Sequence, residues 1–179
     1  METPDHPSPP SAAELVVSSA HLAAGQLPAL SAFEFGLSLV SHAFQRWIVR
    51  CAAAAGAPGL SPTEVLVLHT VHHRHRPKRL SDIALVLDIE DTHLITYALR
   101  KLEAQGLVRR RRSGKENVVE TTASGAALCA RYAEIRERLL VEAVRAAMGE
   151  SGEEILAAAR LMRTLSGFYN QAARAAATL

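Results

Sequence analysis

The sequence predicts a mainly α fold with one small β-hairpin, on three observations. Alanine, leucine and arginine, all strong helix formers, dominate the 179 residues. Apolar residues recur at alternating steps of three and four along several long segments, which is the period of a helix face. One stretch alone, from Leu107 to Thr121, carries the turn punctuation of two paired strands.

Residues 1 to about 12 read as a disordered leader, because Pro4, Pro7, Pro9 and Pro10 among small polar residues supply no packed face. A short helix or arm around Leu15, Val16 and Leu22 follows, interrupted by Gly25 and Pro28. The whole of 1–30 is thus expected to be a weakly structured N-terminal arm. A long helix should begin near Ser31, which has capping-box spacing to Glu34, and run to about Ala55, before Gly56 and Pro58. Its seam of Phe33, Leu37, Val40, Phe44, Trp47 and Cys51 demands a second helix against it. Ser61-Pro62-Thr63-Glu64 joins an N-cap, a proline at the first helical position and a capping-box glutamate, and Val65, Leu66, Leu68 and Val71 follow.

From Leu80 to Glu120 the order is helix, tight turn, helix, hairpin. The first helix holds Leu80, Ile83, Ala84 and Leu87, with Ser81 as the expected N-cap. After a turn at Asp88-Ile89-Glu90, a second helix from about Asp91 to Gln105 buries Ile95, Ala98, Leu99 and Leu102 and stops at Gly106, a favoured left-handed position. Leu107-Val108 and four consecutive arginines then lead through Ser113-Gly114-Lys115 to a return strand, Asn117 to Thr121. Two more helices complete the chain, one from about Ala123 to Met148 and one from Ser151 to about Ala176. Leu128, Tyr132, Ile135 and Leu139 line the first, and Ile155, Ala159, Met162, Leu165 and Tyr169 line the second. The expected fold is a winged helix-turn-helix core with long N- and C-terminal dimerisation helices. Residues 31–57 form the N-terminal dimerisation helix, 58–122 the winged region and 123–179 the C-terminal pair.

Charge is focused where this pattern needs it. Between Arg100 and Lys115 seven basic residues face Glu103 alone, a net +6, which leaves −4 for the remainder of a chain whose formal charge is +2. A basic stripe on a helix-turn-helix is the electrostatic footprint of nucleic acid, whereas the same run in isolation is an ordinary solvated face. Opposite the buried stripe of the second helix lie His93, Tyr97 and Arg100, with Thr96 and Lys101 flanking and Thr92 at the helix start. These should enter the major groove: Arg100 suits bidentate contact with guanine, and Thr96 suits a thymine methyl or a phosphate. Strand alternation puts Arg109 and Arg111 on one side of the hairpin and Arg110 and Arg112 on the other. One pair should meet phosphates or the minor groove with Lys115, and the other should pair with Glu116 or Glu120 and stay structural.

This order of elements resembles the MarR family of bacterial transcription factors over roughly residues 31 to 175. The best local matches are Leu99-Arg100-Lys101-Leu102-Glu103-Ala104-Gln105-Gly106-Leu107-Val108 and the Thr121-Thr122-Ala123-Ser124-Gly125 step after the wing. Two departures stand out: the tip Ser113-Gly114-Lys115-Glu116-Asn117 lacks the family's Asp-x-Arg segment, and the turn before the recognition helix is about one residue longer. The resemblance implies a homodimer with interlocked terminal helices, here carried by Phe33, Leu37, Val40, Phe44, Trp47, Ile155, Met162, Leu165 and Tyr169. It further implies a pseudo-palindromic double-stranded DNA site and a small-molecule or redox signal. The expected function is therefore a dimeric, sequence-specific repressor responsive to a small molecule; a winged-helix protein-interaction module without DNA binding is the alternative.

His69, His72 and His73 sit at helical spacing beside His75, which invites a metal, but no carboxylate or cysteine accompanies them and cations at a helix C-terminus are favoured in any case. No metal or other cofactor is expected. Cys51 and Cys129 form no CxxC pair and fall on apolar seams, so packing is the expected role over redox sensing. No phosphate loop, GxSxG elbow, HExxH helix or acid–base pair of carboxylates is present, which argues against an enzyme. With no basic n-region and no long apolar run, a cytoplasmic location is expected.

Overall fold

The computed structural model describes residues 27–149 and 151–179. The expected leader and the segment around Leu15, Val16 and Leu22 lie outside them. The elements run α1 (Pro28–Ala54), α2 (Pro62–His72), α3 (Leu80–Leu87), α4 (Thr92–Ala104), β1 (Val108–Ser113), β2 (Glu116–Thr121), α5 (Ala123–Arg136), α6 (Glu142–Met148) and α7 (Glu153–Ala176). A 3₁₀ turn at His73–His75 follows α2, and a π turn at Glu137–Val141 links α5 to α6.

Helix α2 starts as its sequence dictates. The Ser61 backbone N–H donates to Glu64 Oε2 at 2.7 Å, and the Glu64 N–H donates to Ser61 Oγ at 3.3 Å, closing the capping box. Three other starts differ from expectation. Helix α1 begins at Pro28, whose missing N–H costs nothing in the first turn, so Ser31 already lies inside the helix. Helix α3 begins at Leu80, and the Arg79 N–H donates to Asp82 Oδ2 at 3.1 Å, so Ser81 sits in the first turn and caps nothing. Helix α7 follows a left-handed Gly152, with Ser151 one residue outside, and places Glu153 and Glu154 at the positive end of the helix dipole.

The core forms where α2 is surrounded. Val65, Val67, Leu68 and Val71 of α2 pack with Ile48 and Cys51 of α1, Ile83 of α3, Ile95, Leu99 and Leu102 of α4, and Leu128 and Tyr132 of α5. The hairpin joins this core through Val108 and Val119. Its strands pair antiparallel in the register Arg109↔Glu120 and Arg111↔Val118, around a Gly114-Lys115 turn. The return strand thus starts one residue earlier than the sequence suggests. Lys78 adds a bridge on the far edge, exchanging two 2.8 Å backbone hydrogen bonds with Val119, so the approach to α3 is locked to the wing.

Two glycines hold helix and hairpin together. Gly106 (φ 68°) ends α4: its N–H donates to Glu103 O, and the Leu107 N–H donates to Leu102 O, both at 2.9 Å, a Schellman closure that turns the chain into β1. Gly125 packs its backbone on the Leu107 carbonyl so closely that a Cβ would overlap it. Thr122 caps α5 by accepting from the Gly125 N–H at 3.0 Å, while its own hydroxyl donates to Gly106 O at 2.6 Å. The Thr-x-x-Gly step is thus the weld between the end of α4 and the start of α5.

The first half of α1 and all of α7 stand apart from that core. Along α1, Leu37, Val40 and Phe44 are exposed, Phe33 is half-buried, and Trp47 alone of the expected aromatic seam leans on that core. Helix α7 is 24 residues long and has no buried residue; Ile155, Met162 and Tyr169 are exposed and Leu165 is half-buried. Two polar contacts reach it: Tyr169 Oη donates to Glu34 Oε1 at 3.1 Å, and Asn170 Nδ2 donates to Asp88 Oδ2 at 2.9 Å. Among the described residues, no helix is long and apolar enough to cross a membrane.

Candidate nucleic-acid interface

Helix α4 owes its orientation to its period. Ile95, Ala98, Leu99 and Leu102 are buried, which turns Thr92, His93, Tyr97 and Arg100 outward. Asp91 caps the helix by accepting from the His93 N–H at 2.9 Å. Tyr97 is 68% exposed although it is a large aromatic in the middle of a well-packed helix. Arg100 has no carboxylate partner among the described residues, so its guanidinium is free to donate outward. Thr96 is half-buried, and its hydroxyl donates to Thr92 O at 3.0 Å.

Lys101 departs from the flanking groove position that the sequence suggests. Its ammonium lies 2.9 Å from Glu64 Oε2 and donates to Gly59 O at 2.8 Å, tying α4 back to the start of α2. Glu64 is the one charged residue buried among those described, which explains why the lysine is drawn inward.

The four wing arginines divide by partner. Arg109 and Arg111 share one face and converge on Glu120: Arg109 donates at 2.7 and 2.8 Å to one carboxylate oxygen, and Arg111 at 2.9 Å to the other. These hydrogen bonds, from Arg111 first and then Arg109, hold the Glu120 carboxyl below the usual carboxylate range. Arg110 pairs with Glu103 at 3.5 Å. Arg112 and Lys115 at the tip have no carboxylate partner among the described residues. Of the two carboxylates the sequence offers the wing arginines, Glu120 thus takes one pair, while Glu116 pairs with Arg79 at 3.0 Å.

Helix α4 thus presents Tyr97 and Arg100 outward beside an arginine-rich hairpin, in the place that the second helix of a helix-turn-helix occupies. Residues 60–125 match the family model described as a winged helix DNA-binding domain. The solved structures agree over a longer span. NMB1585, a MarR family regulator from Neisseria meningitidis, superposes with a TM-score of 0.60 at 16% identity over 82% of this chain and 98% of that one. The fold is that of the MarR-family regulators. MepR of S. aureus, solved as a complex with DNA, has a TM-score of 0.58 at 17% identity, covering 76% of this chain and 96% of its own. CouR from Rhodococcus jostii RHA1, solved with p-coumaroyl-CoA bound, has a TM-score of 0.58 at 16% identity, covering 74% and 90%. A search of curated protein sequences finds no match.

Within this MarR fold the histidines go separate ways. His69 turns inward, its ring edge-on to Tyr132 at 4.4 Å between centroids, and burial pushes its pKa down. His72 meets Thr121 Oγ1 at 3.4 Å and His75 at 4.6 Å between ring centroids; burial, then His75, lowers its pKa. Among the described residues no three His, Cys, Asp or Glu side chains gather as a metal site. Both thiols are buried, which raises their pKa values, that of Cys129 to about 11.

Sequence reasoning missed Arg79 and Lys78. Their one available signal was a basic pair directly before a helix start, and nothing local revealed that this pair would dock on the wing.

Proposed function

We propose that this chain is a sequence-specific double-stranded DNA-binding transcriptional regulator that works as a homodimeric repressor in the cytoplasm and responds to a small molecule. The observation that carries the reading is the exposed set Thr92, His93, Tyr97 and Arg100, presented on the far side of a helix whose other face is locked in the core. Arg100 is suited to the O6 and N7 edge of guanine, His93 and Tyr97 to base or phosphate acceptors, and the Thr96 methyl to thymine. Arg112 and Lys115 at the wing tip would meet backbone phosphates. Arg110 is held through one exposed pair and can be recruited, whereas Arg109 and Arg111 shape the wing through Glu120. Lys101 belongs to the scaffold.

The dimer reading rests on α1 and α7. Most helical stability in proteins comes from packing of an apolar face, and the apolar residues of α7, none of them buried, together with Leu37, Val40 and Phe44 form the surface a second copy would cover. In this arrangement 58–122 is the DNA-binding region, and 31–57 with 123–179 the dimerisation region. Half-sites would lie about one turn apart, roughly 10–10.5 bp. The Asn170–Asp88 hydrogen bond links α7 to the turn between α3 and α4, so an effector that shifts the terminal helices would move the reading heads. DNA in MepR and an acyl-CoA in CouR show that this fold hosts both kinds of partner.

Fluorescence anisotropy with genomic DNA fragments across a salt series tests the proposal, alongside sedimentation of the free protein. With about four phosphates neutralised per subunit, log K against log[salt] should have a slope near −7. Absence of binding even at low salt would leave the protein-interaction module as the reading.

A further inference from the structure

The segment between α2 and α3 builds a second cationic surface that the groove-reading set does not use. Arg74 (φ 60°) and His75 (φ 48°) are consecutive left-handed residues, a backbone region that side-chain-bearing residues rarely adopt. This bend folds the chain over a cleft of about 510 Å³ lined by Arg74, Arg76, Lys78, Arg79, Asp82 and Val118. Lys78 closes the bend from within, donating to His73 O at 2.7 Å and Arg76 O at 2.8 Å, which leaves one of its three ammonium protons unassigned.

Four cations around this cleft face two carboxylates, and both carboxylates are engaged by Arg79: Glu116 by its side chain and Asp82 by its backbone N–H. Arg74 and Arg76 have no carboxylate partner among the described residues. The cleft is therefore an uncompensated positive concavity, walled on one side by Val118. Burial lowers the pKa of Lys78, and the nearby Arg76 and Arg74 add to the lowering while Asp82 opposes it.

We propose that this cleft is a phosphate-binding site. Two exposed guanidiniums without a carboxylate partner among the described residues, Arg74 and Arg76, line one cleft with the Lys78 ammonium, a donor set suited to a tetrahedral oxyanion, which accepts from several donors at once. The phosphate is either one in the DNA backbone flanking the wing, which the Arg79–Glu116 and Lys78–Val119 contacts place alongside, or one carried by a small effector. The first source rests on the DNA-binding reading above; the second does not.

The test compares wild type with Arg74→Gly/Arg76→Gln. Glycine relieves the left-handed backbone and glutamine keeps the stem, so the fold should survive; Arg74→Gly alone serves as the second variant, and thermal melting checks both. Pyrophosphate is titrated calorimetrically into the free proteins, and DNA binding is followed across a salt series. A DNA source predicts a salt slope shallower by about two per subunit with unchanged sequence preference, each lost phosphate contact contributing about 0.9. An effector source predicts pyrophosphate binding by wild type that the double variant weakens at least tenfold, with the DNA slope unchanged. If wild type binds no DNA, the functional proposal fails and the pyrophosphate titration alone decides the cleft. Folded variants that match wild type in both assays would overturn the site.

Discussion

Lys101 and Glu64, 2.9 Å apart, join α4 to the first turn of α2. The lysine is about one-third exposed and the glutamate side chain 3% exposed, so the pair is asymmetric: solvent can reach the cation but not the anion. Removing the cation strands a buried carboxylate whose remaining hydrogen-bond partner among the described residues is the Ser61 N–H. Lys101→Ala should lower unfolding free energy by about 2 kcal/mol, below the 3–5 kcal/mol of a fully buried pair because water reaches the site. In the Glu64→Gln background the same change should cost less than about 1 kcal/mol. Urea melts of the four proteins measure this, and a Lys101→Gln protein with an unaltered DNA salt slope would bear out its scaffold role.

Glu120 holds two wing arginines that the proposed function would otherwise leave to DNA phosphates. Glu120→Gln should loosen Arg109 and Arg111, tighten DNA binding and steepen the salt slope by about one to two, as each added phosphate contact contributes about 0.9. Anisotropy titrations at several salt concentrations provide the check. The pH dependence has a definite sign: since the folded carboxyl titrates below its unfolded value, the clamp stabilises the protein fully at neutral pH. That stabilisation falls as pH drops below the ordinary carboxylate range and is gone below the depressed value. Melting temperatures of Glu120→Gln should lack this component of the acid slope.

His69 carries a second pH signature. Burial against Tyr132 lowers its pKa, so the unfolded chain takes up a proton near pH 6.5 while the folded one does not. Stability from the neutral ring is complete above that pH and is lost progressively as pH falls through the depressed folded value. A His69→Phe protein should show a flatter stability profile between pH 6.5 and 5 in thermal melts.

The exposed side of α4 was legible in the sequence because one period of 3.6 decides both faces: burying Ile95, Ala98, Leu99 and Leu102 leaves no other place for Tyr97 and Arg100. The hairpin was legible for the same kind of reason, although alternation assigned the arginines to faces without naming their partners. Glu116 illustrates the gap, since it lies beside the arginines in sequence yet reaches Arg79, which only the Lys78–Val119 bridge brings near. Caps were misread where two signals competed; Ser31 and Ser81 have the right chemistry, but Pro28 and Asp82 sit where the chain turns first. The Lys101–Glu64 pair joins residues far apart in the chain, and no local pattern could have marked the lysine as interior.

Base reading by α4 through Arg100 is the step on which the proposed function turns. Selection of bound sequences from a random duplex pool, run with wild type and with Arg100→Ala, tests it most directly. The account predicts a pseudo-palindrome with half-sites roughly 10–10.5 bp apart from wild type, and loss of preference at one position per half-site in the variant. An unchanged recovered site, or a uniform loss of affinity at every position, would contradict it.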